Sequence, residues 1–74
     1  MKLDNGMWMG WGGNGVAVGT VGRLRGTKGV VKVVVTSIDD RGSASVTVAN
    51  ASPKSGWDAG NRTTIGVWFI EPAK

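Results

Sequence analysis

The chain contains no cysteine and no histidine. Without cysteine there is no disulfide, and without either residue there is no reasonable ligand set for structural zinc. The lack of histidine also removes the side chain that most often moves protons near neutral pH. Tyrosine is absent, phenylalanine occurs once and proline twice. The longest apolar runs are broken by Lys32 or by glycine, far short of the ~20 residues that a membrane-spanning helix needs. The opening residues Met1 to Gly6 carry an acid at position 4 and no apolar stretch after Lys2, unlike a secretory signal. Together these absences lead us to expect a cytoplasmic protein with no membrane segment, no metal and no cofactor. One local absence matters more: no acidic residue occurs between Asn5 and Ile38.

What is present is short and rich in glycine. A chain of 74 residues has room for one domain, spanning 1–74, with a glycine- and tryptophan-rich N-terminal segment. A domain of this size buries only roughly 60% of the surface of its unfolded chain. Its 13 glycines add to the entropy lost on folding. Small scaffolds without disulfides or metals rely on regular packing or on a partner subunit. The candidate inward residues Val16, Val18, Val31, Val33, Val35, Val46, Val48, Ile65, Val67 and Phe69 are mostly valines, which bury less area than leucine or phenylalanine. A thin core of this kind leads to the expectation of a homo-oligomer, most simply a dimer.

The clearest structural signal is Gly29–Val48. Two β-branched runs, Val30–Ile38 and Ser43–Val48, are joined by Asp39-Asp40-Arg41-Gly42. Branching at Cβ stiffens the side chain and suits a pleated sheet, and Asp followed three residues later by Gly suits a type I turn closed by a left-handed glycine. An isolated hairpin is marginal in water, so the flanking segments must supply strands to cover it. A short strand around Met7–Trp11, a second over Val16–Leu24 with a bulge or bend at Gly19, and a last one over Arg62–Ile70 ended by Glu71-Pro72 would do so. Between the hairpin and that last strand, Ala49–Asn61 reads as an irregular loop whose Trp57 folds back onto the sheet or into an interface. No stretch shows helical recurrence of apolar residues. The expected fold is all-β, a small five-stranded antiparallel barrel of SH3-like or OB-like kind. The segment GTVGRLRGTKGVVKVVV is similar to the glycine-and-valine turn motifs of ribosomal SH3-like modules.

Two motifs that resemble catalytic or cofactor signatures fail on context. Gly10, Gly12 and Gly15 match G-x-G-x-x-G, but a dinucleotide site needs a strand before the glycines and a helix after them. Here a strand follows. The Asp39-Asp40 pair fits turn chemistry, in which Asp side chains accept from nearby amides, and no Ser or Thr has a recognisable base partner. We therefore expect no enzymatic activity.

The functional leads are charge and tryptophan. Of the net charge of +4, the whole excess sits in Arg23, Arg25, Lys28 and Lys32, because the cations and acids on either side cancel. Arg23 and Arg25 share one strand face, Lys28 lies in the following turn and Lys32 on the next strand, so one hairpin face can show them all. Such a cluster attracts phosphate or an acidic protein surface; the alternative is a solvated face with Lys32 guarding a valine run against aggregation. Trp8, Trp11 and Trp57 lie in glycine-rich segments, where stacking on bases, an interface or plain core packing are all open, whereas Trp68 reads as structural. The leading expectation is a non-catalytic nucleic-acid-binding module that uses Arg23, Arg25, Lys28, Lys32, Trp8, Trp11 and Trp57. The alternatives are a phage-type structural or host-protein-binding subunit, by analogy with the small barrels of viral proteins, or a binder of a small anionic ligand between subunits.

Overall fold

The computed structural model describes residues 7–72; the N-terminal hexapeptide, with Lys2 and Asp4, lies outside them. Seven strands follow in chain order: β1 (Trp8–Met9), β2 (Gly15–Val16), β3 (Val21–Leu24), β4 (Val31–Ile38), β5 (Ser43–Ala51), β6 (Arg62–Gly66) and β7 (Ile70–Pro72). Single 3-10 turns occupy Trp11–Gly13, Pro53–Ser55 and Val67–Phe69, and no α-helix occurs among the described residues.

The central hairpin forms where β-branching and turn chemistry place it. Asp39 Oδ1 accepts from the amides of Arg41 (2.8 Å) and Ser43 (2.9 Å), and the Gly42 amide donates to the Asp39 carbonyl at 3.2 Å. Gly42 closes the turn at φ +84°, in the left-handed region that an L side chain enters only under strain. β5 runs past Val48 to Ala51, three residues beyond the expected end, because Lys32 pairs with Asn50 and Val31 with Ala51. The register slips by one residue between Lys32 and Val33 and again between Val35 and Ser37. Each slip leaves one residue unpaired, Ala49 on β5 and Thr36 on β4, and bulges of this kind bend a hairpin and increase its twist.

Five strands make one antiparallel sheet in the order β6-β5-β4-β3-β7, and β1 and β2 form a separate two-stranded ribbon. The two edge strands, β6 and β7, are consecutive in the chain and joined only by the 3-10 turn Val67–Phe69. In a flat sheet four inter-strand steps would separate them by about 19 Å. The step from Gly66 to Ile70 reaches about 14 Å fully extended, and less as a 3-10 turn. The sheet must therefore roll about its long axis. It does not close: among the described residues β6 and β7 form no ladder with each other, so the expected barrel is an open curled sheet. Because β7 leaves β6 through a single turn, it continues the chain instead of lying alongside its predecessor.

Two expected strands are in fact each divided. Val16–Leu24 is split by a turn in which the Thr20 amide donates to the Ala17 carbonyl at 3.0 Å, and Gly19 adopts φ +92°. This turn sends β2 to β1, and β3 to β4 and β7; Val16 is buried while Val18 is 64% exposed. The last strand is interrupted at Val67–Phe69. A 3-10 turn repeats every three residues where a strand repeats every two, so Val67 and Ile70 face inward and Phe69, expected inside, is 40% exposed. Glu71-Pro72 does not end the sheet but extends it, a place where proline is tolerated because β7 is an edge strand.

The core lies on the inner face of the rolled sheet. It comprises Leu24, Val31, Val33, Val35, Ala44, Val46, Val48 and Ile70 from the sheet, Val67 from the turn, and Trp8 and Val16 from the ribbon that covers it. Ile38, Ala51, Trp57 and Ile65 pack around it half-buried. Trp8 sits against the hairpin turn so closely that a Cβ on Gly42 would stand 3.0 Å from its ring. Burial on this scale removes apolar surface from water at roughly 25 cal/mol per Å², and among the described residues no polar side chain is buried with it.

The hairpin turn has a pH signature. The Ser43 and Arg41 amides hold the Asp39 carboxyl below its ordinary value of 3.8. A carboxyl lowered by folding stabilises the fold above its unfolded-state value and loses that effect as pH falls through the folded one. Asp39→Ala should thus lower the melting temperature near neutral pH. Denaturant titrations from about pH 5 down to about pH 2 should show the variant losing less stability than the parent across that window.

Candidate nucleic-acid interface

The outer face of the sheet carries the charges that the inner face cannot accept. On β3, β4 and β7, alternate residues point outward, and the register sets Arg23 directly between Lys32 of β4 and Glu71 of β7. The same row continues to Asn50 on β5. The next row holds Val21, Val34, Thr47 and Arg62. Arg23 Nη2 lies 2.5 Å from Glu71 Oε1, and Arg25 Nη1 lies 3.6 Å from the same oxygen. Both guanidiniums are substantially exposed, so each ion pair is worth no more than ~1 kcal/mol.

Arg25 has a second neighbour. Its guanidinium carbon lies 5.1 Å from the Trp11 ring centroid, in cation–π range, and its amide donates to the Phe69 carbonyl at 2.8 Å. Arg25 therefore stands between a carboxylate and an aromatic ring at the end of β3.

Two clefts open on the outer face and share Lys32. One, of about 580 Å³, lies between Asn14, Gly22, Arg23, Lys32, Glu71 and Pro72. The other, of about 320 Å³, is lined by Val30, Lys32, Asn50, Ala51, Ser52 and Pro53. The second cleft owes its shape to a clasp: the Ser52 amide donates to the Val30 carbonyl at 2.8 Å, and the Val30 amide donates to Ser52 Oγ at 3.0 Å. That clasp brings the Pro53–Ser55 turn, and Lys54 with it, alongside Gly29, where an added Cβ would lie 3.8 Å from the Lys54 Cβ.

The expected site residues divide into three groups. Arg23, Arg25 and Lys32 are brought together on one face. Lys28 is exposed in the turn between β3 and β4 and lines neither cleft. Of the tryptophans, Trp11 is exposed beside Arg25, whereas Trp8 is buried in the core and Trp57 is half-buried against it. Trp8 therefore belongs to packing and not to a rim: its strand pairs with β2, and that pairing turns the indole onto the hairpin.

Three features had no signal along the chain. Glu71 enters the basic cluster from 48 residues away and offsets one of its four cations. Lys54 comes alongside Gly29 only through the Ser52 clasp. Trp68 and Phe69 become surface groups because a 3-10 turn, not a strand, carries them. The glycines of 10–15 close the β1–β2 ribbon through Gly10 N–H to the Asn14 carbonyl at 2.7 Å, and β2 follows them directly. Compared with known protein families, with curated proteins and with solved structures, the chain matches none.

The row depends on a close approach of two backbones. Gly22 is buried, and a Cβ there would lie 2.6 Å from the Glu71 carbonyl oxygen, a contact that neither backbone can relieve without separating β3 from β7. Gly22→Ala should destabilise the fold by about 1–3 kcal/mol. Hydrogen exchange should show the loss of protection concentrated at the Arg23, Arg25 and Glu71 amides.

Proposed function

We propose that the chain is a non-catalytic nucleic-acid-binding module, an open small barrel of SH3-like kind, that holds phosphates along the outer face of its sheet. The observation that carries this reading is the cross-strand row of Arg23 and Lys32, set in two clefts that meet at Lys32. Arg25 stands beside the row through Glu71, and Lys28 and Lys54 are exposed at the β3–β4 turn and beside Gly29. Strand order supports the SH3-like over the OB-like form: β3 to β6 follow one another as a meander, and β7 returns to β3, whereas an OB-fold is a Greek-key barrel. Among the described residues no helix is long and apolar enough to cross a membrane.

Phosphate binding of this sort releases condensed counterions. With three or four contacts, the affinity for a single-stranded oligonucleotide should fall with salt at a log–log slope of about −2 to −3. Fluorescence anisotropy at low and moderate salt measures it, and no binding at low salt would overturn the proposal. Lys32→Glu, at an exposed position with no ion-pair partner among the described residues, should weaken binding by about tenfold or more with little change in melting temperature.

Glu71 gives a prediction of opposite sign. Its carboxylate occupies the guanidiniums that a phosphate would use and repels the phosphate itself. Glu71→Gln should therefore raise affinity by up to about fivefold, the scale of an exposed ion pair. A fall in affinity would mean instead that Glu71 positions the two arginines.

A further inference from the structure

Phosphate contacts along a sheet face do not distinguish a duplex from a single strand. The aromatic end of this molecule does. Trp11, Trp68 and Phe69 are 41%, 50% and 40% exposed, on two 3-10 turns that pack beside one another. The Trp68 and Phe69 rings lie 6.1 Å apart at 48°, and Trp68 rests on Gly66, where no Cβ could stand. Resting on the backbone in this way fixes the ring and leaves its outer surface to solvent.

These rings adjoin the basic row. Arg25 connects them: its amide binds the Phe69 carbonyl, its guanidinium lies over Trp11, and the same guanidinium reaches the carboxylate that holds Arg23. Exposed aromatic faces bordered by arginine suit a ligand that carries π surfaces and negative charge at once. Unpaired nucleobases on a phosphate backbone have both. In a duplex the π faces are hidden in the stack, and only base edges and phosphates are presented.

Resting on the nucleic-acid reading above, we propose that this face takes single-stranded nucleic acid, with phosphates on Arg23 and Lys32 and successive bases stacked on Trp11 and on the Trp68–Phe69 pair. Three probes of equal length decide it by anisotropy at one salt concentration: oligo(dT), a fully abasic strand with the same phosphates, and a DNA duplex. Oligo(dT) should bind at least about fivefold more tightly than either of the others, the scale of one base–aromatic stack. Trp11→Ala and Trp68→Ala should each lose about five- to hundredfold on oligo(dT) and almost nothing on the abasic strand, with the salt slope unchanged. Trp11→Phe and Trp68→Phe should restore most of the loss, and melting curves confirm that each variant is folded.

Equal affinity for oligo(dT) and the abasic strand would overturn the stacking proposal while leaving phosphate binding in place. Failure of all three probes to bind would overturn both. If light scattering instead shows a dimer that Trp68→Ala dissociates, the aromatic end belongs to a second copy of this chain and the single-strand proposal falls.

Discussion

A three-residue 3-10 turn that joins the two outermost strands is the constraint on which the other features depend. Val67–Phe69 can link β6 to β7 only if a sheet five strands wide is rolled. Rolling sets the valines of β4 and β5 against Leu24, Ile70 and Val67, a core that a flat sheet would leave in water. It also delivers β7 to the free edge of β3, and with it the glutamate that enters the basic row. The same turn shifts the periodicity from two to three, which places Ile70 inside and leaves Trp68 and Phe69 on the surface.

The electrostatic character of the outer face follows from that topology. The cluster of Arg23, Arg25, Lys28 and Lys32 has no acid near it along the chain, but in space it contains Glu71, while Lys54 stands beside Gly29 in the turn that carries Lys28. The result is a basic surface that is partly self-neutralised at the two arginines and open at the lysines. Surface ion pairs are weak and screened by salt, so Glu71 attenuates the cluster without abolishing it.

Strands with strong local chemistry were legible from residue types. The β4–β5 hairpin was readable because β-branching, an Asp that accepts from turn amides and a left-handed Gly act within a few residues of each other. Seven of the ten inward candidates are buried: Val16, Val31, Val33, Val35, Val46, Val48 and Val67. Reading failed where a strand changes partner or stops being a strand. Val18 and Phe69 lie at such points and face outward, and Leu24 and Ile70, absent from the inward candidates, are buried there; Trp8, for which core packing is one of the readings the sequence leaves open, is core.

The sequence by itself determined an all-β chain, its central hairpin, the alternation that separates valines from lysine and arginine, and the grouping of Arg23, Arg25 and Lys32 on one face. These are consequences of Cβ branching, turn geometry and the two-residue period of a strand, all of which act within about ten residues. Only the tertiary structure decided that the sheet stays open, that Trp8 is core while Trp68 is surface, that Glu71 stands beside the two arginines, and that Lys54 comes alongside Gly29. Those outcomes depend on which edges meet once the apolar face is buried. That choice is made by long-range packing and by the reach of a three-residue link, and no local pattern encodes it.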